Sequence, residues 1–161
     1  MPEIRTYDQM EIELVRQTPC PAELVSLALH ITMKSDLDGY IPPLSKKKAK
    51  FLWYAEHQSV FEHVQYTFLI QNVSRSFLRQ ITRQRTASPT SRSKQYQNYK
   101  DYPVSICEEL RDADSFKLAA VSLRNSFSDY ETAISLAVPK GEARQLLPMG
   151  AVVTYLWTID A

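Results

Sequence analysis

The longest periodic stretch of the chain runs from Asp114 to Ala137, where Phe116, Ala120, Leu123, Phe127, Tyr130, Ile134 and Ala137 recur at alternating steps of four and three. This spacing gathers the apolar side chains on one stripe and predicts a single long helix whose stripe is core or a subunit seam. Strands dominate the candidates for its partner. Val64, Tyr66, Phe68 and Ile70 alternate with Gln65, Thr67 and Leu69 at the end of Gln58 to Ile70, and Ala151 to Ile159 is rich in β-branched and aromatic residues. Both read as strands. A third is expected over Glu11 to Thr18, closed by Pro19.

Shorter helices complete the outline. Pro21 suits the first turn of a helix over Ala22 to Met33, with Leu24, Leu27, Ala28 and Ile31 at helical spacing. Ser45 caps a helix from Lys46 to about His57, with Lys46, Lys47, Lys48 and Lys50 outside and Ala49, Leu52 and Trp53 inside. The lysine run reads as a solvated face, although it sits where the helix dipole disfavours cations. Gly39, Pro42 and Pro43 mark a loop, and Glu142 to Leu147 adds a helical turn or two. Strands and helices do not alternate regularly enough for a doubly wound sheet, so the fold class is α+β. With 161 residues, 44% of them hydrophobic, the chain suffices for one core and is short for two, which predicts one domain over residues 1–161.

The chemistry concentrates between Arg75 and Tyr96. Arg75, Arg79 and Arg83 are four residues apart, a spacing that lines three guanidiniums along one helix face. Thr86 to Ser91 then reads as a polar loop interrupted by Pro89. Forked donors beside hydroxyls suit an anion, phosphate above all, while composition alone reads the cluster as a solvated basic face. Tyr96, Tyr99 and Tyr102 could stack on a ring system or pack against the domain.

Exclusions narrow the field. A net charge of +1 argues against a general nucleic-acid binder and for a small-molecule partner. Only Gly39, Gly141 and Gly150 are present, so neither a dinucleotide fingerprint nor a P-loop can be written, and any nucleotide must be held by side chains. His30, His57 and His63 form no zinc signature with Cys20 and Cys107, so no metal is expected. The glutamates beside Cys107 and the prolines beside Cys20 disfavour an activated thiolate. No apolar run approaches a membrane span, and the cysteines suit a reducing compartment, so the expected location is the cytoplasm.

Arg83-Gln84-Arg85, seven residues, then Ser93 resembles the R-H-R-x7-S signature of the flavin-dependent thymidylate synthases, and Arg83 to Tyr96 follows that family's longer R-H-R-T-A-S-x-N-E-x-S-x-R-Y pattern. His57 to His63 resembles its G-H-x-S-P-F-E-H turn, Arg79-Gln80 its arginine-glutamine pair, and Ala143-Arg144 to Trp157-Thr158 its A-R-x-x-L-P…W-T segment. The resemblance implies an antiparallel sheet packed with helices and a homotetramer with FAD at subunit junctions. It also implies C5 methylation of a uridine monophosphate, with methylenetetrahydrofolate giving the carbon and NADPH reducing the flavin. Carried over by position, Gln80, Arg83, Ser93, Gln95 and Arg144 would contact the nucleotide, and His57, His63, Arg85 and Ser91 the cofactor. Ser93 would be a binding residue rather than a nucleophile.

The departures from the pattern bear on specificity. Gln84 replaces the signature histidine, Thr90 and Ser91 replace its asparagine and glutamate, Gln95 stands where an arginine is expected, and Asp160 occupies an asparagine position. The family continues beyond the position of Ala161 with an arginine-bearing helix, so the expectation is either a truncated chain or a divergent or shortened member that lacks this segment. Three readings follow: a thymidylate synthase acting on dUMP, a specialised UMP methylase of the nucleoside-antibiotic kind, or a flavin-binding relative without turnover.

Overall fold

The protein, described from a computed structural model, is defined over residues 10–33, 42–55, 57–91, 103–106 and 112–161. Its four strands, β1 (Glu11–Gln17), β2 (Gln65–Ser74), β3 (Ala87–Ser91) and β4 (Val152–Asp160), form one antiparallel sheet in the order β1-β2-β4-β3. The helices are α1 (Pro21–Met33), α2 (Lys46–Tyr54), α3 (Arg75–Ile81), α4 (Ala113–Ser135) and α5 (Lys140–Ala143), with 3₁₀ turns at Gln58–Phe61 and Arg144–Leu146. The α+β class and the long helix match the sequence reading. The residues cluster into two compact units, one holding Leu69–Arg85 and Pro89–Leu156, the other Glu13–Phe68, Thr86–Ser88 and Trp157–Ala161.

In the first unit α4 provides the core. Asp112 caps it, its carboxylate accepting from the N–H groups of Asp114 and Ser115, each at 3.2 Å. Ala120, Phe127 and Tyr130 are buried on the expected stripe, and Phe127 and Tyr130 pack with Val104, Ile106, Ala143 and Leu147. The helix ends one stripe position early. Ala137 lies beyond the helix at a φ of 60°, exposed, because the chain turns there instead of continuing. The segment at 103–106 passes close to Gly150: a Cβ there would lie 2.9 Å from both the Ser105 carbonyl oxygen and Val104 Cγ1. The missing side chain lets Ser105 N–H donate to the Gly150 carbonyl at 2.8 Å and Val152 N–H to that of Pro103 at 3.0 Å.

The second unit has its own cluster of Val25, Leu29, Leu52, Val60 and Val64. Ser45 caps α2 as expected, accepting from Lys48 N–H at 3.3 Å, and the four lysines are exposed. Two expectations change here. Trp53 is 48% exposed and meets Phe61 edge-on at 5.9 Å, so Leu52 is the buried residue of α2. Gln58 to Phe61 forms a 3₁₀ turn rather than the start of a strand; Val64 N–H closes onto the Phe61 carbonyl at 2.9 Å, and β2 begins at Gln65. The strand then runs past Ile70 to Ser74. The Thr67 and Thr158 hydroxyls meet at 3.0 Å and Phe68 lies against Trp157 at 6.1 Å. Among the described residues no helix is long and apolar enough to cross a membrane.

Candidate functional site

Helix α3 has no fully buried residue, and its apolar Leu78 and Ile81 are only half-buried, so apolar packing holds it weakly. Its first turn is tied by polar contacts. Ser74 Oγ accepts from Phe77 N–H at 3.2 Å, Arg75 N–H donates to the Ala151 carbonyl at 3.2 Å, and Ser76 N–H to that of Met149 at 3.3 Å. The Arg75 side chain adds a bond from Nη1 to the Leu147 carbonyl at 3.2 Å. Phe77 rests on the ring of Tyr155 at 6.5 Å. Burial pushes the Tyr155 phenol up to about 12, so this ring stays un-ionised and serves as a packing surface.

The three arginines expected along one helix face therefore separate into three environments. Arg75 braces the fold, Arg79 is exposed on the helix, and Arg83 lies past its end, where Thr82, Arg83 and Gln84 N–H groups close onto Leu78, Gln80 and Ile81 carbonyls at 3.1 Å each. The helix is shorter than the arginine spacing suggests. Arg85 follows in a turn that leads into β3. The segment read as a polar loop is thus largely a strand, Ala87–Ser91, and its place at the end of the sheet order explains how Pro89 is tolerated without an N–H to donate.

Gln80, Arg83, Arg85 and Ser91 are all exposed in this unit. Among the described residues no ion pair or side-chain hydrogen bond engages Arg83 or Arg85. Arg144 is half-buried and opens the 3₁₀ turn that follows α5, with Leu147 N–H returning to its carbonyl at 3.2 Å. The structure places Gln80 in the last turn of α3 and Arg83 and Arg85 in the turns that follow it, and it ties the base of that helix to the segment just after Arg144. Ser93, Gln95, Tyr96, Tyr99 and Tyr102 lie outside the described residues.

In the second unit His57 and His63 are exposed and flank the Gln58–Phe61 turn. His63, with Ser59 and Glu62, edges a groove of about 420 Å³ whose floor is Leu24, Leu27, Ala28 and Ile31 of α1. This corrects the reading of α1. Val25 and Leu29 face the core, while the apolar row at Leu24, Leu27 and Ile31 is left to the groove, with Ile31 59% exposed. The signal was present as a second apolar row one position out of phase, but spacing alone could not say which row is buried. An apolar floor with imidazole, hydroxyl and carboxylate at its edge suits a flat ring system with polar substituents. Among the described residues no group of three or more histidine, cysteine, aspartate or glutamate side chains could hold a metal ion.

The chain as a whole is similar to known proteins. The sequence model of the family described as thymidylate synthase complementing protein matches residues 13–161. The flavin-dependent thymidylate synthase of Geobacter sulfurreducens is 28% identical over 94% of this chain and 69% of its own length, and that of Halobacterium salinarum 27% identical over 94% and 78%. Among solved structures, the UMP/dUMP methylase PolB from Streptomyces cacaoi bound with 5-Br dUMP superposes with a TM-score of 0.77 at 20% identity, covering 98% of this chain and 75% of that one. Thymidylate synthase X from Helicobacter pylori with FAD and dUMP superposes with a TM-score of 0.68 at 18% identity, covering 94% and 78%. At such identities the structural likeness speaks for the fold. The family match spans most of the chain, and on that ground the protein belongs to the thymidylate synthase complementing protein family, the flavin-dependent thymidylate synthases.

Proposed function

We propose that the protein methylates C5 of a uridine 5′-monophosphate, converting dUMP to dTMP, UMP to 5-methyl-UMP, or both. Methylenetetrahydrofolate is the carbon donor and NADPH the reductant of a bound FAD. The observation that carries this reading is the end of α3, where Gln80, Arg83 and Arg85 stand exposed on a member of this family. A guanidinium binds a phosphate through two parallel N–H donors, and Arg83 and Arg144 take that role toward the nucleotide. The Gln80 amide offers the paired donor and acceptor that a pyrimidine edge needs. Ser93 and Gln95 complete the nucleotide set.

FAD fits the residues that remain. Its pyrophosphate needs cationic side chains in a chain this poor in glycine, and Arg85 is exposed without an ion-pair partner among the described residues. His57, His63 and Ser91 are the further cofactor contacts that the family resemblance implies, and within the second unit the apolar groove beside His63 suits a flat ring. When bound, the flavin supplies the hydride that reduces the transferred carbon. Ser93 is assigned to binding, since no histidine or carboxylate adjoins it in the sequence to take its proton.

The same reading includes a homotetramer in the cytoplasm. Exposed apolar side chains on α4, with Leu118 at 72% and Val121 at 54%, support assembly. The dUMP and UMP readings are both kept: Ser91, exposed on β3, stands where the family pattern has a glutamate, and a changed side chain of this kind can alter which ribose is admitted.

Tritium release from C5-labelled dUMP and UMP, measured in parallel with FAD, NADPH and methylenetetrahydrofolate present, tests the proposal. Release from dUMP alone defines a thymidylate synthase, and comparable or greater release from UMP a broader pyrimidine nucleotide methylase. No release from either, in protein that holds FAD, would leave only a binding role.

A further inference from the structure

Arg75 heads the arginine cluster in sequence, yet its side chain serves the fold. Its Nη1 donates to the Leu147 carbonyl at 3.2 Å in a partly buried contact. The same residue, Leu147, returns its N–H to the Arg144 carbonyl at 3.2 Å and closes the 3₁₀ turn that Arg144 opens. Leu147 is therefore held from both sides of its backbone, while its side chain is 4% exposed in the cluster beneath α4. Two further bonds, from Arg75 N–H to Ala151 and from Ser76 N–H to Met149, fasten the same stretch to the base of α3.

We infer that Arg75 is a positioning residue for nucleotide binding: through Leu147 it fixes the Arg144 turn against the base of α3, so that Arg144 and the Arg83 end of α3 are held in a set relation. This rests on the proposed role of Arg144 and Arg83 in binding the nucleotide. Two phosphate-binding guanidiniums carried on separate chain segments give full affinity only if their backbones are held in place before the ligand arrives. A charge-assisted hydrogen bond to a backbone carbonyl supplies such a constraint, and neither a solvated arginine nor an apolar side chain at position 75 would. The helix needs it, because none of its seven residues is buried.

The test uses the full-length protein and two readouts. Amide hydrogen exchange is followed in Arg75→Met and Arg75→Lys, and dUMP and UMP affinities are measured by calorimetry in Arg75→Met, Arg144→Met and the double variant. Arg75→Met is expected to speed exchange across 144–151 while the middle of α4 keeps its protection, and to weaken the tighter-binding nucleotide about 10-fold, the scale of one charge-assisted hydrogen bond. Arg75→Lys, which keeps a cationic donor, should recover part of both. In the Arg144→Met background the further loss from Arg75→Met should disappear, since a residue acting through Arg144 has nothing left to position.

Unchanged exchange at 144–151 in Arg75→Met, or an undiminished affinity loss in the double variant, overturns the inference. An exchange increase spread evenly over α4 overturns it too, by making the effect global. If Arg144→Met leaves nucleotide affinity intact, the assignment of Arg144 is what fails. A surviving affinity loss in Arg75→Met would then show that Arg75 acts by another route.

Discussion

Helices α4 and α3 belong to the same unit and are held by opposite means. The long helix is secured by side chains: Phe127 and Tyr130 are buried at 3% and 0% exposure, and its outer face is left to solvent or to a neighbour. The short one is secured by backbone and polar contacts at its first turn, and no side chain along it is buried. A helix fixed by its packing cannot also offer those side chains to a ligand. A helix fixed at one end by its N–H groups and a single guanidinium keeps Gln80, and the turn beyond it with Arg83 and Arg85, free for binding.

Substitutions should separate the two regimes. Phe127→Ala is expected to have the largest effect, a loss of about 3–5 kcal/mol in urea unfolding with the fold itself at risk. A small shift of the midpoint would mean that the α4 stripe is not the core of this unit. Arg83→Ala should do the reverse, weakening dUMP or UMP binding by roughly 10- to 100-fold while the thermal midpoint barely moves. Unchanged affinity by calorimetry would remove Arg83 from the site.

Smaller effects sharpen the contrast at the caps. Ser74→Ala deletes the acceptor for Phe77 N–H and should cost about 1 kcal/mol, seen first as faster amide exchange within α3. At Asp112 the Ser115 side chain, then the Ser115 N–H, hold the carboxyl below its ordinary 3.8. A carboxylate depressed in the folded state adds stability that is present above the unfolded value and is lost as pH falls below 3.8 through the folded one. Asp112→Asn keeps a capping oxygen and removes the titration, so the acid limb of the stability profile should flatten slightly; an identical limb in both proteins would contradict the cap.

Much of this was legible in the sequence for reasons that follow the same division. The stripe of α4, the Ser45 cap and the last strand are set by local pattern, so spacing and composition found them. Arg83 was placed on a helix because four-residue spacing fits one, but nothing in that spacing records that the helix stops at Ile81. Thr86 to Ser91 looked like a loop because its residues are polar and include a proline, whereas the pairing that makes it a strand comes from β4, distant in sequence. In α1 two apolar rows competed, and only tertiary packing selects Val25 and Leu29. The four motif blocks named the candidate residues by type, but nothing in their spacing records that Arg75 braces the fold, which takes a contact with Leu147, distant in sequence.

The exposure of the α3–β3 region also bears on how this site can change. Gln84, Thr90 and Ser91, three of the positions that depart from the family pattern, are all exposed. Replacements at such positions generally shift stability by less than about 0.5 kcal/mol. This surface can therefore be rewritten residue by residue while the protein stays folded, so under the proposed function the preference for one nucleotide sugar over another is free to drift. The constraint falls instead on Arg75, Leu147 and Gly150, which need never touch the ligand.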